Sequence, residues 1–191
     1  GLIGLRVTDL IDHHGFKESE LLPYIYPSYE ELEKNKINGI FLGQFFQWDG
    51  NNNAKIANKK GFTYYEKLVE GAANNYENLD NCQAGIHDYF KYIKYGFGRT
   101  TDIMSNLVRR KLITRKEGID KIKRFDGNFP NTYLGKPLKE IIENIEIDIE
   151  EFLEICHKFT NKDLFKLNNK NEPIRDNKNN LVKAAVYGPN L

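Results

Sequence analysis

Over most of its length the chain repeats apolar residues at helical spacing. One short stretch instead makes them continuous. Near the start, Leu2, Ile3, Leu5, Leu10 and Ile11 form a rough helical stripe that resumes at Leu21-Leu22 before Pro23, predicting two short helices. Ser28 then stands three residues ahead of Glu31, the spacing of a capping box, at the head of a helix that Asn38-Gly39 ends. The run Gly39-Ile40-Phe41-Leu42-Gly43 is apolar without alternation and bounded by glycines, which predicts a strand buried on both faces. A helix from Asn51 to Lys60, closed by Gly61, follows it and suggests the last strand-helix unit of an α/β sheet.

From Gly85 onward the pattern is helical through GIHDYFKYIKYG, TTDIMSNLVRRKLI, TRKEGIDKIKRFDG, PNTYLGKPLKEIIENI and DIEEFLEICHKF. Thr114 with Glu117 and Asp148 with Glu151 have capping-box spacing, and Gly127 stops a helix after a basic last turn. Residues 168–180, rich in Asn and Lys, predict an exposed, poorly packed tail. The expected organisation is therefore 1–60 α/β, 61–167 an α-helical module and 168–191 a tail.

Composition narrows the possibilities. With 191 residues and 40% hydrophobic content the chain can bury a real core. A net charge of +1 creates no global field for nucleic acid or an anionic membrane, so any anion site is local. Cys82 and Cys156 form no CxxC pair, as expected of reduced thiols in a cytoplasmic protein. The opening apolar segment is broken at Arg6 and Asp9, too early for a secretory or membrane-spanning segment.

Candidate chemistry gathers in two places. In KYIKYGFGRTTD, Lys91, Lys94 and Arg99 are interleaved with Gly96 and Gly98 and lead into Asp102, a pattern suited to phosphate or pyrophosphate at a helix start. An ordinary helix end with solvated bases has the same spacing. In YENLDNCQAGIHDY, Glu77, Asp80, His87 and Asp88 could position an amine or handle a proton, while a buried histidine bonded to a carbonyl fits His87 equally well. Cys82-x4-His87 lacks a second ligand pair, so no metal site is expected there. His13-His14 reads as a helix end, because adjacent helical side chains point about 100° apart. Trp48-Asp49, just past the expected strand, stands where open α/β sheets bind ligands, or else serves as packing.

These segments resemble the N-acetyl sugar amidotransferases of bacterial surface-polysaccharide and flagellin-glycan synthesis. LLPYIYPSYEEL, GIFLGQFFQWD, NYENLDN, GIHDYFKYIKYGFGRTTD, LITRKEGIDKIKRFDGNFP and EEFLEICHKF stand in the family's order from about Gly1 to Phe165. The resemblance implies an α-dominated α/β fragment: the terminal strand and helices of a PP-loop (adenine nucleotide α-hydrolase-like) parallel sheet, followed by a helical substrate module. It further implies conversion of a sugar acetamido group to an acetamidino group with ATP and Mg²⁺, whether or not the sugar is nucleotide-linked. Ammonia would come from a glutaminase with a cyclase-like delivery subunit. Lys91, Lys94, Arg99 and Asp102 are then expected on the phosphate side, and Trp48, Asp49, Glu77 and His87 on the sugar side. The sequence contains no SGGxDS-like PP-loop and none of the family's N-terminal cysteine pairs, so it is expected to be the C-terminal part of a longer enzyme and inactive by itself. A non-catalytic helical domain that docks a glutaminase or another subunit through its aromatic residues is the alternative.

Overall fold

The computed structural model describes residues 4–184, which fall into two compact units, Gly1–Gly50 and Asn51–Leu191. In the first unit, helix α1 (Val7–His14) ends at Gly15, whose φ of 72° is the left-handed conformation that terminates a helix, as expected from His13-His14-Gly15. Leu2 and Ile3 of the expected stripe lie outside the described residues. Helix α2 (Glu18–Leu21) is one turn long. Helix α3 (Tyr29–Lys34) begins where the sequence placed it, with the Ser28 hydroxyl accepting from the Glu31 amide at 3.2 Å and the Glu31 carboxylate accepting from the Ser28 amide at 3.1 Å.

The expected strand at Gly39–Gly43 does not form. Leu42–Gln44 is a single 3₁₀ turn, and Ile40 and Phe41 are 66% and 81% exposed. A strand buried on both faces exists only where neighbouring strands take its backbone donors and acceptors, and among the described residues none pairs with this one. The parallel sheet is accordingly not seen among the described residues.

The second unit is helical. Helix α4 (Gly50–Asn58) leads to Gly61, whose φ of 102° reverses the chain. Helix α5 (Ala84–Tyr95) buries Gly85, Asp88, Tyr89, Tyr92 and Ile93, residues spaced by three and four along one face. That face meets Leu138 and Ile142 of helix α8 (Leu138–Glu143), Phe152 and Cys156 of helix α9 (Ile149–Phe159), Phe129 ahead of α8, and Phe165 and Leu181 from the segment beyond α9. Each large apolar side chain removed from water here contributes about 1.5–3 kcal/mol. Helices α6 (Arg99–Arg109) and α7 (Arg115–Phe125) approach closely because Gly118 presents no side chain to Val108 and Met104. The Thr114–Glu117 capping box forms as expected, and at Asp148 the carboxylate accepts from the Glu151 amide, one half of the expected box.

Two expectations change in this unit. The front of PNTYLGKPLKEIIENI is not helical: β1 (Thr132–Tyr133) and β2 (Lys136–Pro137) form an antiparallel hairpin. Leu134 and Gly135 both have positive φ, 49° and 80°, as a two-residue type I′ turn requires, and Pro137 cannot continue a helix before α8. Residues 168–180 are largely exposed but are not poorly packed. Bridges pair Phe165 with Lys183, Leu167 with Pro173 and Arg175 with Leu181, and they bring buried Leu181 onto the core. Arg175 donates to the Tyr89 hydroxyl at 2.7 Å and lies over the Phe129 ring, while the Asn180 side chain accepts from the Phe129 amide at 2.7 Å. The Asn-rich composition forms the turns of this segment: the Asp176 carboxylate accepts from the Lys178 and Asn180 amides.

Candidate functional site

Arg99, the first residue of α6, turns back over α5. Its Nε and Nη2 donate to the two oxygens of Asp88 at 2.6 and 3.1 Å, and its Nη1 donates to Glu77 at 3.4 Å. With its amide oxygen turned toward the guanidinium, Asn78 accepts from Nε and Nη2 at 3.2 and 3.0 Å. The Asp88 side chain is only 10% exposed, so a two-pronged guanidinium is what makes its charge tolerable in the interior. The bond to Asp88 in turn raises the Arg99 pKa above its ordinary value, against the opposing effect of burial. α5 and α6 are joined by the short turn through Gly96, whose φ is 78°, and the reversal there lets Arg99 fold back toward Asp88.

Of the residues expected to carry chemistry, the fold brings Glu77, His87 and Arg99 together around Asp88. His87 stands 76% exposed, with Nδ1 3.2 Å from Asp88 Oδ1, and is not a buried histidine bonded to a carbonyl. Lys91 and Asp102 form a close ion pair with each other, and Lys91 also lies 4.9 Å above the Phe97 ring. Lys94 points to a different face, over Phe90 and Phe159 of α9, at 4.8 Å from the latter ring. Trp48 and Asp49 belong to the first unit, where Trp48 is exposed. Two of the amides at the start of α6, a natural anion site, are occupied from within: Asp126 Oδ2 accepts from the Gly98 amide at 2.8 Å and from the Thr101 hydroxyl at 2.5 Å, and Oδ1 accepts from the Thr101 amide at 3.4 Å.

Beside this latch lies a cavity of about 310 Å³, walled by the chain around Glu70, one face of α5, the start of α6, the Phe125–Thr132 segment and Tyr133 of the hairpin. That volume is within the range of small-molecule sites. Close approach of its walls depends on glycine: a side chain at Gly85 would collide with the Tyr133 ring, and one at Gly127, where φ is 74°, with Tyr92. Tyr89, Tyr92 and Tyr133 are each pushed up to about 12 by burial, so their hydroxyls stay protonated donors at any physiological pH. Tyr133 donates to the Asn78 carbonyl at 3.2 Å. The Glu70 carboxylate accepts from the Thr132 hydroxyl and the Leu134 amide, both at 3.1 Å, and thereby ties the hairpin to the chain around Glu70.

Sequence reasoning missed Glu70, Asp126 and Tyr133. Gly98 meets Asp126 across 28 positions and Leu134 meets Glu70 across 64. No periodicity carries such a signal. The one hint was that RFDGNFP belongs to a block singled out without any chemical role.

The second unit thus carries a tyrosine-rich cavity of small-molecule size. The model of the family described as LPS biosynthesis protein WbpG-like, C-terminal domain, matches residues 60–178, the greater part of the second unit. The chain belongs to that family. Among curated proteins, none matches the chain. Among the described residues no helix is long and apolar enough to cross a membrane, and no group of His, Cys, Asp and Glu side chains is arranged to hold a metal ion.

Proposed function

We propose that this chain provides the sugar-binding part of an ATP-dependent N-acetyl sugar amidotransferase of lipopolysaccharide or flagellin-glycan synthesis, in which an acetamido group becomes acetamidino. The supporting observation is where the cavity lies. Most of its walls come from the two longest blocks of the resemblance, Gly85, Asp88, Tyr92 and Arg99 from one and Asp126 and Phe129 from the other, while Glu70 and Tyr133 stand outside them. Membership of a lipopolysaccharide-biosynthesis family supports the same setting.

The residues described here do not fit ATP. Arg99 and Lys91 are engaged by carboxylates, the Gly98 and Thr101 amides by Asp126, and the sequence has no SGGxDS-like loop. In this reading ATP and Mg²⁺ are held by a PP-loop that this sequence lacks, and ammonia reaches the sugar from a glutaminase with a cyclase-like subunit. The chain's own part is to enclose the sugar, exclude water and keep the cavity walls in register through the Arg99–Asp88 latch.

The test is made in an enzyme that carries the PP-loop, supplied with ATP, Mg²⁺, ammonia and an N-acetyl sugar, with the amidine read by mass spectrometry and AMP by chromatography. The expected result is amidine formed with AMP, reduced about tenfold in Arg99→Lys because a point charge cannot satisfy both Asp88 oxygens. Absence of amidine and AMP with the wild-type enzyme across N-acetyl sugars would overturn the assignment. The second reading, a docking domain for a glutaminase, draws on exposed Phe41, Phe45, Phe46 and Trp48; co-purification of that subunit, lost in Phe45→Ser and Trp48→Ser, would support it.

A further inference from the structure

We propose that copies of this chain dock head to tail through their second units, the basic tip of the α6–α7 hairpin of one copy meeting the acidic α8–α9 turn of the next. The net charge of +1 conceals a separation of charge along the chain. Residues 109–124 hold eight lysines and arginines against two carboxylates, residues 136–154 hold seven carboxylates against two lysines, and the rest of the chain is neutral. All of these charged residues except Arg110 are exposed. Among the described residues no ion pair joins the two segments, so neither neutralises the other by contact within one copy.

Local helix chemistry does not account for these placements. Arg115 and Lys116 are the first two residues of α7, where the positive end of the helix dipole disfavours cations. Glu117 in the same turn is spent on Thr114, accepting from its amide at 2.7 Å and its hydroxyl at 2.8 Å. Glu143 is the last residue of α8, where the dipole disfavours an acid, and its ion-pair partner is Lys139 at 3.7 Å. Each turn also exposes an apolar residue among its charges: Leu112, 56% exposed, lies between α6 and α7, and Ile145, 47% exposed, lies between α8 and α9. Apolar side chains flanked by opposite charges on the two surfaces match the apolar centre and polar rim of a protein interface. A nucleic acid or an anionic bilayer would be drawn to one segment and repelled by the other on the same unit, whereas a second copy gains at both. Because the two faces differ, each docked copy still offers one of each, and association continues into a row or closes into a ring.

The experiment is sedimentation velocity of the full 191-residue chain over a concentration series, at low ionic strength and in about 1 M salt, where charges are screened within about 3 Å. The expected result is a mass that grows with concentration at low salt and returns to that of the monomer at high salt. Arg115→Glu combined with Lys116→Glu, and Glu146→Lys combined with Glu154→Lys, should each weaken association about tenfold or more, with the thermal midpoint kept. Mixing these two variants should restore association, because the reversed face of each matches the reversed face of the other. The proposal is overturned by a monomer at every concentration, or by a mixture of the two variants that stays monomeric. Association that survives both high salt and the charge reversals also overturns it, assigning the contact to exposed apolar side chains such as Phe41 and Trp48. So does a monomeric chain that uses Arg115 and Lys116 to bind phosphatidylglycerol vesicles or duplex DNA.

Discussion

Between Leu22 and Trp48 the first unit carries Leu22, Tyr24, Tyr26, Ile40, Phe41, Leu42, Phe45, Phe46 and Trp48, all exposed, and Leu21 is its buried apolar residue among those described. The second unit, with no denser run of apolar residues, buries Tyr89, Ile93, Ile142, Phe152, Cys156, Phe165 and Leu181 in one cluster. The difference lies in what the helices can reach. In the second unit α5 is flanked by α8, α9 and the chain beyond Phe159, each presenting an apolar face to it. In the first unit the helices are four to eight residues long and leave no surface broad enough to cover their neighbours. Apolar content supplies the tendency to collapse; long-range closure decides whether a core results.

That contrast can be broken by mutation. The largest effect belongs to Phe152→Ala, which empties the centre of the second unit and should cost about 3–5 kcal/mol, read as a lower urea midpoint with unchanged slope. A cost under 1 kcal/mol would mean that the cluster is loosely packed. Next is Leu181→Ala, expected to cost about 2–3 kcal/mol because the segment beyond residue 168 is part of the core. If the midpoint does not move, that segment is the loose tail its composition suggests. The smallest effect should come from Ile40→Asp in the first unit. At an exposed site it should shift stability by less than about 0.5 kcal/mol. Unfolding of that variant would restore Gly39–Gly43 as a buried strand.

Acid adds a finer comparison within the second unit. Burial lowers the His157 pKa below its ordinary value, so the unfolded chain takes up a proton more readily than the folded one. The stability tied to this neutral histidine is present above the unfolded pKa, about 6.5, and is lost as pH falls through that value and the lower folded one. His157→Gln should flatten the urea midpoint between pH 7 and pH 5; an unchanged slope would assign the acid sensitivity to carboxylates instead.

Much of the local architecture was legible beforehand, and much of the candidate site was not. The caps at Ser28, Thr114 and Asp148, the terminations at Gly15 and Gly61, and the amphipathic α5 and α9 all follow from interactions spanning at most four or five residues. Such signals are written in neighbouring positions. The reading of Ile40-Phe41-Leu42 went wrong because an apolar run states only that burial would be favourable, and residues far away decide whether a sheet exists to receive it.

By itself, then, the sequence determined where helices begin and end, which face of each is apolar, and which residues cluster near the turn at Gly96. These outcomes rest on backbone geometry and on hydrogen bonds that close within one or two helical turns. Only the tertiary structure decided that Asp126 occupies the start of α6, that Glu70 holds the hairpin, that Lys94 faces Phe159 while Arg99 faces Asp88, and that three tyrosines share one cavity. Those pairings cost chain entropy to bring together and are stable only when the whole core forms, so no short window of residues contains them.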